Sequence, residues 1–318
     1  MSISPARMHK LSALAMTVTA GAFILATVSM LRKQEPFFTW YYCFAWWSYI
    51  VFAEGYLYRK GGSSLLFESP ARFLILLPLS TTVWLIFEAF NLRLQNWHYL
   101  EVPSQTWLRW LGCFISFATV VPGIFTTTDL LAHLGVFKHS RATPLERPER
   151  LSTPCIFIGI AFLALPLLWP QFFFPLVWGG FIFILEPVNY RFGAPSLLRD
   201  WQTGSLRKFY LLLLAGACCG LLWEMWNFEA GAKWIYTVPY VSWLKIFEMP
   251  LLGFLGFPPF AVECYAFANG FFLLKDRIES NYTPKGRYAV WGALAALTIV
   301  FHLVVFTGID RFTVISFK

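Results

Sequence analysis

Charge is scarce in this chain: Asp, Glu, Lys and Arg together make up only 13% of its 318 residues, about half the share of an ordinary soluble domain. A water-covered globular surface is thereby excluded. The six cysteines (Cys43, Cys113, Cys155, Cys218, Cys219, Cys264) all lie in apolar stretches and form no CxxC pair, so no zinc site is expected and they read as small core residues. The five histidines (His9, His98, His133, His139, His302) give no HExxH and no pair at helical spacing four. No metal and no cofactor is therefore expected. The net charge of +8 comes from Lys and Arg gathered in particular loops rather than along one face, which removes nucleic acid from the expected partners.

What the chain has instead is apolar and aromatic surface. Hydrophobic residues make 58% of it, aromatics 19%, with 15 Trp, and the mean hydropathy is +0.58. Several apolar runs reach the roughly 20 residues needed to cross about 30 Å of hydrocarbon as helix, which satisfies every backbone polar group internally. The expected fold is all-α: a polytopic integral membrane helical bundle, with the lipid bilayer as its surroundings. Nine spanning helices are expected, over 11–31, 36–58, 73–92, 107–134, 154–168, 172–190, 209–228, 244–274 and 288–308. Pro258 and Pro259 predict a kink or break in the eighth, because proline removes a helix hydrogen bond. Arg7 and Lys10 ahead of the run Leu11 to Leu31 look like the start of a leader. The run is too long for a leader core, has no small-x-small end and is followed by Arg32 and Lys33, so it reads as the first spanning helix.

With the N-terminus cytoplasmic, 17 of the 25 Lys and Arg residues fall on that side. The bias predicts N-terminus in, C-terminus outside, with a bacterial inner membrane as the expected location.

Internal repetition sets the architecture. EGYLYRKGGSSLL from Glu54 aligns without gaps on EPVNYRFGAPSLL from Glu186. Further on, Glu88 pairs with Glu224, Asn91 with Asn227 and Pro103 with Pro239, and a one-residue shift pairs Trp97 with Trp234 and Tyr99 with Tyr236. Trp107 then pairs with Trp243, and Pro122 with Pro258. Shared apolar composition explains matched Leu and Phe, not matched Glu, Asn, Arg and Pro. The expected units are a four-helix repeat over 1–135, a basic cytoplasmic linker over 136–153, a second four-helix repeat over 154–275, and an extra helix with tail over 276–318. An even number of helices per copy makes the copies point the same way, about an axis along the membrane normal.

Ionisable residues inside spanning helices cost about 2.5–3.5 kcal/mol on insertion scales and so face partners or cavities. Glu88 and Glu224 each carry an Asn three positions on (Asn91, Asn227), which shares their helix face. The parallel repeats bring both pairs to one depth, and Glu248 is expected early in the eighth helix at a similar level. These acids are candidates for acid-base chemistry, with the Asn residues orienting them; the alternative is that each Glu clamps the bundle through its Asn or a backbone carbonyl. Trp84 with Phe87, and Trp223 with Trp226, stand beside the acids and are expected to line an apolar site, as aromatic faces stabilise cations. On the cytoplasmic side Glu54 with Arg59, and Glu186 with Arg191, are expected to form helix-end locks through Tyr58 and Tyr190. Asp129 and Glu263 are candidate relay residues or partners of those locks. Trp97, Tyr99, Trp107, Trp110, Trp234, Tyr236 and Trp243 form the expected outer interfacial belt.

Trp234, Tyr236 and Pro239, followed by KIFEMPLLGFLGFPPFAVE from Lys245 to Glu263, resemble the small duplicated membrane lycopene cyclases of carotenoid synthesis. The resemblance lies in repeated apolar domains, an aromatic Trp-containing loop and a proline–acid motif entering a helix. It implies that Glu263, or Glu248, is the acid that protonates a terminal isoprene double bond, and that Trp234 and Tyr236 contact substrate. Pro-x-Glu-Glu does not occur here, and each unit has four helices where that family has three. The expected function is a membrane enzyme acting on a long apolar substrate, a polyisoprenoid or other lipid, with Glu224 as acid and Glu88 its repeat partner. The alternatives are a proton-coupled transporter or flippase, and a structural membrane subunit.

Overall fold

The computed structural model describes residues 4–316. The helices, in chain order, are α1 (Pro5–Leu31), α2 (Tyr41–Arg59), the short α3 (Leu65–Glu68) and α4 (Pro70–Leu94); strand β1 (Trp97–Leu100) leads to α5 (Thr106–Phe117) and α6 (Val120–His133). The second half runs α7 (Ser152–Leu168), the short α8 (Pro170–Phe173), α9 (Val177–Phe192), the short α10 (Leu197–Gln202) and α11 (Arg207–Phe228). Strand β2 (Lys233–Tyr236) and a small hairpin of β3 (Lys245–Ile246) and β4 (Met249–Pro250) precede α12 (Phe257–Asn281) and α13 (Pro284–Gly308).

Among the described residues, eight helical segments are long and apolar enough to span a bilayer. The protein is an all-α polytopic membrane bundle. Helix α2 is a ninth crossing by connectivity: β1 pairs with β2 and Arg109 with Asp310, which puts the ends of α4, α11 and α13 on one face. The chain can return from the end of α1 to the start of α4 only along α2. Its Tyr and Trp residues dilute its hydropathy, and its residues Trp46, Ile50 and Leu57 are fully buried.

Three expected helices differ in detail: the sixth, expected over 172–190, is divided into α8, a 3-10 turn over Phe174–Leu176 and α9. The fourth is broken at Ala118 and Thr119 into α5 and α6, where Ser80 Oγ donates to Phe117 O at 2.6 Å and accepts from Val121 N at 2.9 Å. A side chain inserted into the helix ladder replaces the local bonds there. The eighth starts at Phe257 rather than 244, preceded by a 3-10 stretch over Leu251–Gly256. Pro258 and Pro259 thus stand in its first turn, where proline is tolerated, instead of kinking it midway.

The repeat is visible in the packing. Helix α1 lies on α2 as α7 lies on α9, α2 on α6 as α9 on α12, and α4 on α6 as α11 on α12. The copies meet through α6 with α11 and α4 with α12, and through an antiparallel ribbon on the face opposite the N-terminus. In that ribbon His98 faces Ile235, Trp97 faces Tyr236 and Tyr99 faces Trp234. Under the sequence alignment His98 and Ile235 are equivalents, so the ribbon is symmetric about that pair.

The extra helix α13 breaks the symmetry. It packs on α4 and ends in a π-helical turn, Ile309–Thr313, and the following chain joins repeat one: Val314 bridges to Tyr99, and Ile315 N donates to Tyr99 O at 3.0 Å.

Candidate functional site

A cavity of about 430 Å³ lies beneath the ribbon, walled by both repeats. Six tryptophans line it (Trp40, Trp84, Trp97, Trp178, Trp223, Trp234), with Tyr42, Tyr99 and Tyr236. Large aromatics fill cores well, yet here they surround space.

Glu88 and Glu224 are fully buried just behind this wall. Glu88 Oε1 accepts from Trp84 Nε1 at 2.8 Å, from Trp97 Nε1 at 3.0 Å and from the Tyr99 hydroxyl. Glu224 Oε1 accepts from Tyr236 OH at 2.8 Å, while Trp234 Nε1 donates to that same hydroxyl at 2.8 Å and also interacts with the carboxyl group. In both acids Oε2 is buried without a partner. The acids reach the cavity through Tyr99 and Tyr236, which line it; the carboxyl groups do not line it themselves. Burial, followed by the neighbouring carboxyl group, pushes both phenols well above the usual tyrosine range. They hold their protons at neutral pH.

Asn91 and Asn227 do not orient the acids. Asn91 Nδ2 donates to Trp97 O at 2.9 Å and its Oδ1 accepts from Asn96 N and Trp97 N, while Asn227 Nδ2 donates to Trp234 O at 2.8 Å and its Oδ1 accepts from Trp234 N at 2.9 Å. Each amide matches the donor and acceptor of a strand residue that carries a tryptophan. The Asn residues thus pin the ribbon to the helix ends, and the ribbon delivers Trp and Tyr to the acids.

Of the expected lining residues, Trp84, Trp223, Trp234 and Tyr236 face the cavity. Phe87 and Trp226 do not: Phe87 stacks on Trp178 at 5.1 Å, and Trp226 packs edge-on to Trp46 at 4.9 Å, both in the core. Glu248 sits in the hairpin turn rather than in a helix, paired with Lys233 Nζ at 2.8 Å, and stands close enough to Glu224 for the two carboxyl groups to interact. Glu263 is fully buried in α12, with Oε1 accepting from Phe181 N at 2.9 Å and Oε2 unpartnered.

The inner locks form with other partners than expected. Glu54 Oε2 accepts from Ser64 Oγ at 2.6 Å and Leu66 N at 3.1 Å, and its Oε1 from Thr126 Oγ1 at 2.7 Å. Glu186 Oε2 accepts from Leu197 N at 2.7 Å, at the same turn of the second copy. Both therefore anchor the loop that starts a short helix. Arg59 donates to His9 O, Arg191 lies over the Phe192 ring, and Tyr190 OH donates to Gln202. Asp129 is half-buried, and it is Thr126, three residues earlier, that contacts Glu54.

Within the expected belt, Trp107 and Trp243 are exposed at 68% and 79%, whereas Trp97 and Tyr99 are buried. The repeat had marked Trp97 and Tyr99 together with Trp234 and Tyr236, and that pairing was the signal for their place at the site. Arg109 and Asp310 carried no such signal; they meet in a bidentate pair at 2.6 and 2.7 Å, with Trp110 Nε1 on the same carboxylate at 2.9 Å. No cluster of three or more His, Cys, Asp or Glu suited to a metal occurs among the described residues.

Comparison with protein families, with curated proteins and with solved structures finds no match for this chain.

Proposed function

We propose that the protein is a membrane enzyme that takes a long apolar molecule, an isoprenoid or another lipid, into the aromatic chamber and acts on it by proton transfer through Tyr236 and Glu224. The observation that carries this reading is the chamber itself, an apolar space walled by both repeats into which two carboxyl-backed tyrosine hydroxyls open. A Tyr–Glu pair moves a proton by reversing its hydrogen bond: the Glu224 carboxyl passes one to the phenol oxygen as the phenol gives its own to the substrate. Such general acid catalysis is worth about 10²–10⁴-fold in rate. The resemblance to lycopene cyclases puts isoprenoids first among apolar substrates. In this setting the N-terminal face is cytoplasmic, as the distribution of Lys and Arg suggests, and the chamber faces outward.

Two features favour this reading over transport or a purely structural role. Moving a substrate across needs an open passage from the chamber to the Glu54 level, and neither Glu54 nor its partners Ser64, Leu66 and Thr126 line the chamber. A structural subunit has no need of a chamber. The test compares lipid and pigment extracts by mass spectrometry from cells with the wild type, a deletion and Glu224→Gln. A mass or isomer lost in both altered strains is expected; extracts identical in all three overturn the enzyme reading.

A further inference from the structure

Beneath the chamber, α12 carries a buried acid, Glu263, where the aligned position of repeat one is a threonine. Pro259 lines the chamber, Glu263 follows four residues on, and Ala266 O accepts from Asn189 Nδ2 of α9 at 2.9 Å. A Cβ placed on Gly270 would come within 3.3 Å of Asn189 Oδ1. Steps of three and four residues keep one helix face, so these positions form one line. Helix α9 runs alongside in the same order: Trp178 lines the chamber, and Phe181, three residues on, donates its N–H to Glu263. At the far end a mainly apolar surface groove is lined by Val188, Phe192, Gly270, Leu273, Arg277 and Asn281, at the ends of α9 and α12 nearest the N-terminal face, and Asn189 lies buried behind Gly270. Glu263 stands seven residues from Gly270, about 10 Å at 1.5 Å per residue.

Glu263 and Asn189 are fully buried, and Glu263 Oε2 and Asn189 Oδ1 have no hydrogen-bond partner. Unpaired polar atoms in a spanning bundle are costly and mark pathways more often than packing. Repeat one shows that the packing does not require them. Its equivalents of Glu263, Asn189 and Gly270 are Thr127, Leu57 and Leu134, and Thr127 Oγ1 is satisfied by Tyr49 OH and Gly123 O, both at 2.7 Å.

We propose that Glu263 is a proton relay, taking protons from water that enters at Gly270 and Asn189 and passing them toward the chamber at Pro259 and Trp178. This rests on the chamber being a site of acid-base chemistry. Each proton consumed there is replaced by one drawn from water on the N-terminal face, which leaves hydroxide on that side; no electrons move. Among the described residues, the Cys264 thiol interacts with Glu263 and with the Cys219 thiol, and Glu186 stands on α9 between Phe181 and Asn189.

The test is infrared spectroscopy of the full chain in lipid nanodiscs. The carbonyl stretch of Glu263 is assigned by difference from Glu263→Gln and followed after transfer from H2O to D2O. The band is expected to shift within minutes, and about ten-fold or more slowly in Asn189→Leu and in Gly270→Ala, as closing an access path protects exchange. Two blocking variants guard against one failing to fold. A band unshifted after a day, equal exchange in both variants, or no Glu263-dependent carbonyl band at all overturns the relay. The exchange depends on Glu263 and the lipid extracts on Glu224, so failure of the relay is distinct from failure of the chamber reading.

Discussion

The two repeats hold the same acid at the same place and use it differently. In repeat one Glu88 receives three donors, and the chain after α13 lies against Tyr99 and is fastened by Asp310 on Arg109. In repeat two Glu224 accepts from Tyr236, with Trp234 beside both, and the equivalent of Trp84 is Gly220, whose missing side chain makes room for the Phe257 ring. The inner locks follow the same division, with three donors on Glu54 and one unpartnered oxygen on Glu186. Unpartnered buried polar atoms occur in both halves, at Glu88 in the first and at Glu186, Asn189, Glu224 and Glu263 in the second.

The sharpest way to break this comparison is to exchange the acids one at a time. Glu224→Gln removes the transferable proton and keeps the shape, so product falls by about 10² or more, read by mass spectrometry per mole of folded protein. Glu88→Leu strands three buried donors and costs roughly 3 kcal/mol or more, since each lost partner is worth about 1–3 kcal/mol. Glu224→Leu, with one donor stranded, costs about 1–3 kcal/mol, so the thermal midpoint in nanodiscs drops less than for Glu88→Leu. Asp310→Asn removes the charge from a partly buried pair, while Arg109 keeps its bonds to Pro103 O and Ser104 O, and costs about 1–3 kcal/mol as the loss of a charge-assisted hydrogen bond. Faster proteolysis after Arg311 checks it. An effect of the same size as for Glu224→Leu is expected of Gly220→Ala, where a Cβ would meet the Phe257 ring at 2.2 Å; overpacking of this kind costs about 1–3 kcal/mol.

The helices were legible because hydrocarbon demands long apolar runs, and the repeat was legible because polar residues recur in register. Less of the site could be read. The run from Met249 to Phe260 is apolar enough to be counted into a spanning helix, and only Pro258 and Pro259 signalled the break that falls just before them, where the 3-10 stretch gives way to α12. Asn three residues after Glu suggested a shared face, and the amide's real partner is a backbone six or seven residues further on, which a helical wheel does not contain. The pair of Arg109 and Asp310 spans 201 residues and has no copy in repeat two to flag it. Depth was readable from the sequence, whereas facing direction depended on which ring each helix met.

The account turns on a working acid in one copy and a holding acid in the other. The most direct measurement is product formed per mole of folded protein in Glu224→Gln against Glu88→Gln, each normalised to wild type. The predicted result is a yield about ten-fold or more lower for Glu224→Gln, a loss of general acid being worth at least that. Equal yields, or a deeper loss in Glu88→Gln, would contradict it.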